Sequence, residues 1–302
     1  MDLRQLSFVV AVVDHGGFTR AAAALHVAQP SLSQGIRTLE AELGVDLFDR
    51  VGRGVTLTAA GRALLPAARQ ALHDVEIARA AVDAVRGVAG GRLDLVSIPT
   101  LGVSPVGEYI GAFRRLHPDV TVRLVEPDDS SAIANQILGG ESEIGFTELP
   151  VGGTAVADGR LVATELDEQE YVAVHHRSVE RGSLVSLAQL AELPLVTTTP
   201  GTSTRRLVDE AFRQAGCEPN VAIETDLREV ITAIVGAGGG YTIMPRTVAD
   251  RMVAAGDVRV AEILPRISRR VGVICRAGEL SPAGAAFLAL VTQSGGERPV
   301  VA

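Results

Sequence analysis

The sequence predicts an α/β protein with an all-α front end: a winged helix-turn-helix, a long connecting helix, and a C-terminal α/β region large enough for two lobes. Three observations carry this prediction. Residues 19–43 read as two short helices about a tight turn. Residues 58–86 place apolar side chains at a period near 3.5. From Arg92 onward, short β-branched runs alternate with helical stretches.

The first element runs from Leu3 to Asp14, with Leu3, Leu6, Val10 and Val13 on one helical face. Its apolar run falls short of the ~18 residues of a membrane span. Asp2 stands where a signal peptide would carry basic charge. Gly16 and Gly17 end this helix. A second starts near Phe18, and Ala21 to Ala24 offer small side chains for close packing. His26 to Gln29 break it. Pro30 then opens a third helix, because a first-turn N–H has no helical partner to lose. There Leu32, Ile36, Leu39 and Leu43 form an apolar stripe, and Pro30, Ser33, Gln34 and Arg37 share the other side. Most helix pairs are packing units only. The compact, hydrogen-bonding residues of this second face are of the kind that enter a major groove. Thr19, Arg20 and Gln29 flank that face. LFDRVGRGVTLT, after Gly44, reads as a two-stranded wing whose Arg50 and Arg53 are candidates for phosphate or minor-groove contact.

Thr58 is placed to cap a long helix to about Arg86, with Leu64, Leu65, Ala68, Leu72, Val75, Ala78, Val82 and Val85 along its seam. At 1.5 Å per residue it would span ~45 Å. Such a seam finds no neighbour inside a small domain, so pairing with a second copy is expected. Pro66 is expected to kink it or to lie near its first turns. Gly87, Gly90 and Gly91 form a linker.

Strands are then expected at Leu93–Ile98, Val120–Val125, Ile144–Thr147, Tyr171–Val174, Leu195–Thr198, Val221–Glu224, Tyr241–Met244 and Val271–Cys275. Helices fit at Val106–Leu116, Ala132–Leu138, Thr204–Ala215, Leu227–Val235 and Ala283–Val291. The alternation argues for parallel sheets.

The run FTRAAAALHVAQPSLSQGIRTLEAELGVDLFDR, followed by GRGVTLTAAG, resembles the N-terminal domain of LysR-type transcriptional regulators. At two positions where that family commonly has serine, this chain has Gly17 and Ala28. GRLDLVSIP, FRRLHPDVTVRLVE, SEIGF and GAGGGYTIMP resemble, more loosely, the family's effector domain, which is shaped like a periplasmic solute-binding protein. The resemblance implies a DNA-binding domain over 1–58, a linker and dimerisation helix over 59–90, and an effector domain over 91–302. Lobe I would take about 91–163 and 268–302, and lobe II about 164–267. It also implies double-stranded promoter DNA, a small-molecule effector and a second copy (homodimer or homotetramer) as partners, with RNA polymerase a further candidate.

Charge sharpens this. The chain of 302 residues has formal net charge −8 and no lysine. Schiff-base lysine chemistry and a P-loop lysine are thereby excluded. Residues 1–90 hold nine Arg and nine acidic residues, whereas 91–302 hold nineteen and twenty-seven. The front is neutral, not basic, so Arg20, Arg37, Arg50 and Arg53 must supply a local patch, doubled by dimerisation.

For a small molecule, strand C-termini and helix N-termini are the expected lining. Candidates are Pro99, Thr100, Ser130, Ser131, Thr147, Thr198, Thr199, Thr202 and Ser203. Hydroxyls and free N–H groups there suit a small anion, although ordinary capping explains any single one of them. Arg205 and Arg206 could add charge to that site, although solvated helix arginines are the commoner reading. Gly236 to Gly240 follow a helix and precede a strand, the reverse of a dinucleotide fingerprint, so they read as a tight turn. Cys217 and Cys275 lie in apolar surroundings and read as structural thiols; no metal-ligand spacing is present. No nucleophile–base set or cofactor motif appears. The reading is a cytoplasmic, effector-modulated DNA-binding regulator with no catalytic residue, metal or cofactor. A cytoplasmic small-molecule sensor with a degenerate DNA domain is the alternative, and an enzyme on a two-lobed scaffold the more distant one.

Overall fold

The computed structural model describes the chain apart from Gly52, Arg53, 86–89, Asp128, Gly153, Glu180, Arg181, Glu279, 296–297 and 300–302, and apart from the side chains of 50–51, 80–81, 83–85, Ala255 and 294–299. At the front, α1 (Leu3–Asp14) starts on a capping box in which the Asp2 carboxylate accepts from the Gln5 N–H and the Gln5 side chain accepts from the Asp2 N–H. Next, α2 (Phe18–Ala24) and α3 (Gln29–Leu43) form the helix pair. Pro30 sits in the first turn of α3, and Gly44 ends it in the left-handed conformation at φ 69°. Leu32, Ile36 and Leu39 are buried with Phe8, Val9, Val12 and Ala21 in one core. Leu43, the fourth member of the expected stripe, is exposed instead. A close approach fixes the crossing of α1 and α3: a Cβ on Gly35 would stand 2.7 Å from the Phe8 ring. The wing follows as β1 (Phe48–Val51) paired antiparallel with β2 (Gly54–Leu57).

Thr58 does cap the long helix: its Oγ1 accepts from the Gly61 N–H at 3.0 Å while α4 runs over Ala59–Val85. Pro66 lies inside α4. One expectation is corrected here. The first half of the seam is not without a neighbour, because Ala60 and Leu64 pack against the N-terminal core, Ala68 is buried, and α4 also meets the C-terminal helix described below. Farther along, Val82 is exposed. Arg69, buried on α4, pairs with Asp14 at the end of α1 and with Glu141 of the C-terminal region.

Lobe I opens with β3 (Gly91–Ser97), a single turn α5 (Pro99–Leu101), a wide π-type turn over Gly102–Val106 and α6 (Gly107–Leu116). The expected helix start at Val106 is therefore a residue early, since Ser104 breaks the helical path. Then come β4 (Val120–Val125), α7 (Ser130–Leu138) and β5 (Ile144–Leu149). The chain leaves through β6 (Leu161–His176), far longer than the expected Tyr171–Val174. Lobe II holds β7 (Leu184–Ser186), α8 (Leu187–Ala191), β8 (Leu195–Thr197), α9 (Ser203–Gln214), β9 (Val221–Glu224), α10 (Arg228–Gly236), β10 (Tyr241–Pro245), α11 (Arg246–Ala255) and β11 (Val258–Leu264). The return is β12 (Ile267–Arg276), followed by α12 (Pro282–Gly295) and the short β13 (Arg298–Pro299).

The sheets are mixed, which corrects the all-parallel expectation. β3 pairs parallel with β4 and β5, and β8 parallel with β9 and β10. The crossing strand β6 pairs antiparallel with β10, β11 and β12. A strand that enters a lobe from its neighbour has no room for a crossover helix, so it must run against the parallel set. Lobe I buries Leu93, Phe113, Phe146 and Phe287 in one cluster; lobe II buries Tyr171, Phe212 and Tyr241 in another and Val172, Val196 and Val235 in a third. These clusters stay within their own lobes, so the two lobes meet through β6, β12, polar side chains and the approach of α11 to the Gly102–Val106 turn. Gly35→Val should lower stability by about 1–3 kcal/mol through overpacking against Phe8, read as a lower thermal midpoint; an unchanged midpoint would contradict this packing of α1 on α3.

Candidate functional site

Two regions gather the sequence candidates. The first is the outer face of α3. Pro30, Gln34 and Arg37 are exposed there, Ser33 is half-buried, and the Gln29 Nε2 donates to Ser33 Oγ at 2.8 Å. Thr19 and Arg20 are exposed on α2, with the Arg20 guanidinium turned back onto the Gly16 carbonyl. Neither Gly17 nor Ala28 supplies a side-chain cap, so the first N–H groups of α2 and α3 find no side-chain acceptor there. Arg53 and the Arg50 side chain lie outside the described residues.

The second region lies where the lobes meet. Alternation along β12 puts Ile267, Arg269 and Val271 on one face, so an arginine shares an apolar row. Its side chain is only 5% exposed. It sits directly opposite Gln169 of β6 in the strand register, and its Nε and Nη2 donate to Gln169 Oε1 at 3.1 and 2.7 Å. Nη2 also donates to Thr100 Oγ1 at 2.6 Å, and Nη1 to Ser203 Oγ at 2.7 Å. The Tyr171 ring lies beneath the guanidinium at 5.2 Å.

The counter-charge is Glu148, near the end of β5. Each carboxylate oxygen is held by one serine and one arginine. Oε1 accepts from Ser130 Oγ at 2.7 Å and from Arg206 at 3.3 Å. Oε2 accepts from Ser203 Oγ and from Arg269 at 3.3 Å. Ser130 and Ser203 are the first residues of α7 and α9, one in each lobe. Burial pushes the Glu148 carboxyl up, but the two serine hydrogen bonds and the two guanidinium charges outweigh it and hold the group below its ordinary value. Arg206 also bonds Asp129 at 3.1 Å and the Gly201 carbonyl at 2.6 Å, so, although exposed, it adds charge to the junction. Arg205 likewise pairs with Asp209 and Glu224.

The remaining candidates divide. Thr202 caps α9, accepting from the Arg205 N–H at 3.2 Å, and exchanges a 2.6 Å hydrogen bond with Thr198. Thr199 donates to Asp226, and Ser131 to the Asp129 carboxylate. Pro99 is half-buried beside Thr100. Thr147 is buried and, one residue from Glu148, faces the other side of β5. Sequence reading missed Glu148, Gln169, Tyr171 and Arg269. The available signals were a charge closing the apolar strand IGFTE and an arginine in the apolar row of ISRRVGVIC. A separate cavity of about 1020 Å³ lies between α4 and lobe I, lined among others by His73, Arg92, Asp94 and Arg276. Two of its arginines are already committed, Arg92 to Asp94 and Arg276 to the Ile137 carbonyl. The convergent donors are at the lobe junction instead.

The "Bacterial regulatory helix-turn-helix protein, lysR family" model matches residues 3–62, and the "LysR substrate binding domain" model matches residues 86–296. The chain is 31% identical over 287 residues to the nitrogen assimilation regulatory protein nac of Klebsiella aerogenes, covering 93% of this chain and 91% of that one. It is 32% identical over 307 residues to the SDS degradation transcriptional activation protein of a Pseudomonas strain, covering 99% and 98%. Among solved structures, full-length OxyR from Pseudomonas aeruginosa aligns with TM-score 0.77 at 23% identity over 97% and 94% of the two chains. CbnR bound to its target DNA aligns with TM-score 0.65 at 28% identity over 97% and 100%.

A carboxyl whose folded pKa lies below its unfolded one adds stability that is present above the ordinary value and lost as pH falls through the folded value. The stability gap between the native chain and Glu148→Gln should therefore be full at neutral pH and shrink below the ordinary value of 4.5. Urea unfolding across a pH series measures it, and a gap that stays constant down the series would contradict the assignment.

Proposed function

Because the chain belongs to the LysR family of transcriptional regulators, we propose that the outer face of α3 reads promoter DNA and that the lobe junction receives a small anionic effector. The protein is a DNA-binding transcriptional regulator with a C-terminal effector domain. In the proposed docking, Gln29, Pro30, Ser33, Gln34 and Arg37 enter the major groove, Thr19 and Arg20 meet the adjacent backbone, and Arg50 and Arg53 of the wing reach phosphates. The observation that carries this is the division of α3: Leu32, Ile36 and Leu39 are buried while Gln34 and Arg37 are exposed. The similar CbnR, solved with its target DNA, supports it.

Electrostatics sets the assembly. A front unit of zero net charge over residues 1–90 gains little from phosphates by itself. Two copies double the contacts, and the exposed Val82 on α4 leaves apolar surface for pairing. We assign 1–58 to DNA binding, 59–90 to the linker and dimer contact, and 91–302 to effector binding. For the effector, the support is Arg269: a buried guanidinium already engaged with a carboxylate, flanked by the starts of α7 and α9. No step of catalysis is assigned, and the site of action is the cytoplasm, where promoter DNA is found. Among the described residues, no helix is long and apolar enough to cross a membrane.

A gel-shift assay of the full chain on its own upstream DNA tests the docking. Binding should weaken with rising salt, and Arg37→Ala should cost about tenfold or more in affinity, the scale of one good base contact. Equal retardation by Arg37→Ala and the native chain would remove the α3 face from the interface.

A further inference from the structure

The lobe junction is filled by a side chain of the protein itself. Four donors converge on one carboxylate: a serine hydroxyl from the start of a helix in each lobe, and two guanidinium groups. They are divided evenly, one serine and one arginine to each oxygen, as in a receptor built for a free carboxylate. The carboxylate they hold is the chain's own. The geometry points to Glu148 as the resident ligand of an inter-lobe carboxylate receptor, so that a small free carboxylate binds there only by taking the place of the Glu148 side chain.

The arrangement has chemical consequences. Arg269 is almost fully buried and is held in position by Gln169, Thr100 and the Tyr171 ring, independently of Glu148. Removing the Glu148 carboxylate therefore leaves a formed, cationic socket and not a collapsed one. An unpaired guanidinium at that depth favours any anion of the right size. Glu148 is one-quarter exposed and reaches the socket through two flexible methylenes, so it can swing out toward solvent, whereas Arg269 cannot. Exchange of one carboxylate for another conserves charge and hydrogen bonds. It follows that the native chain binds simple carboxylates weakly, and that an effector must gain its affinity from groups beyond the carboxylate. This inference rests on reading the lobe junction as the effector site.

The test is chemical rescue in the full-length chain. Glu148→Ala ends the side chain at Cβ, and acetate restores a CH₃–COO⁻ unit in place of the missing CH₂–COO⁻. Glu148→Ala should unfold at a lower temperature than the native chain. Acetate should raise that midpoint saturably, recovering at least half of the loss, while sodium chloride at equal ionic strength does not. Neither the native chain nor Glu148→Gln, whose amide still fills the socket, should gain from acetate. If Glu148→Ala is insoluble in chloride, acetate in the purification buffer should recover it. Equal effects of acetate and chloride on Glu148→Ala, or equal acetate gains in all three chains, would overturn the proposal. DNA retardation by the same samples separates the two readings. Rescue of folding with no acetate effect on DNA binding supports the receptor and removes the effector reading. Absence of rescue, with DNA binding still answering to other small acids, removes Glu148 as resident ligand and leaves the effector reading standing.

Discussion

The effector domain depends on how two lobes without a common apolar core hold one orientation. Two strands, β6 and β12, connect them, and strands alone permit bending. The carboxylate of Glu148, fixed to lobe I, meets Ser203 and Arg206 of lobe II, while Arg269 on β12 bonds Thr100, Gln169 and Ser203. Separating the lobes would strip Glu148 of Ser203 and Arg206, and Arg269 of Ser203, leaving buried charged groups short of hydrogen bonds, which is costly in a low-dielectric setting. The polar contact thus does for lobe orientation what apolar packing does inside each lobe. It also restricts which molecules can intervene, since only a group able to satisfy Arg269 and both serines replaces Glu148 at little cost.

The same contact lies at one end of a physical path to the DNA-binding helices. Ser130, the first residue of α7, holds Glu148. The turn after α7 contains Glu141, which pairs with Arg69 of the long helix, and Arg69 also pairs with Asp14 at the end of α1. One short helix therefore touches the lobe junction at its start, and the turn that follows it touches the linker helix. A ligand biases the DNA-binding unit only by its difference in affinity between two arrangements of this chain of contacts, and DNA biases the ligand equally in return.

Much of the architecture is legible in the sequence, for physical reasons that differ along the chain. The front unit is short-range: caps, a proline in a first turn, and the stripe Leu32, Ile36 and Leu39 determine it locally. The parallel strands of each lobe are apolar runs bounded by turn residues, and they stand out equally well. What escaped reading is non-local. TELDEQE inside β6 is charged and looks like a loop, yet it is the strand that crosses between lobes, where one side meets solvent. The antiparallel pairing of β6 with β12 joins residues about one hundred positions apart, such as Arg269 and Gln169. The hydroxyl side of the junction could be read from helix starts. On the charged side, each of Glu148 and Arg269 stands out as a charge in an apolar strand, but their meeting could not be read, because no local pattern brings those strands together.

The claim that a carboxylate on lobe I is clasped by a helix start on lobe II is tested most directly by a double-mutant cycle between Glu148 and Ser203, using Glu148→Gln and Ser203→Ala with stability measured by urea unfolding. Direct contact predicts a coupling of about 0.5–3 kcal/mol, the range found for residues that share a hydrogen-bond network. Strict additivity of the two substitutions would contradict it, and the lobes would then owe their orientation to something other than this carboxylate.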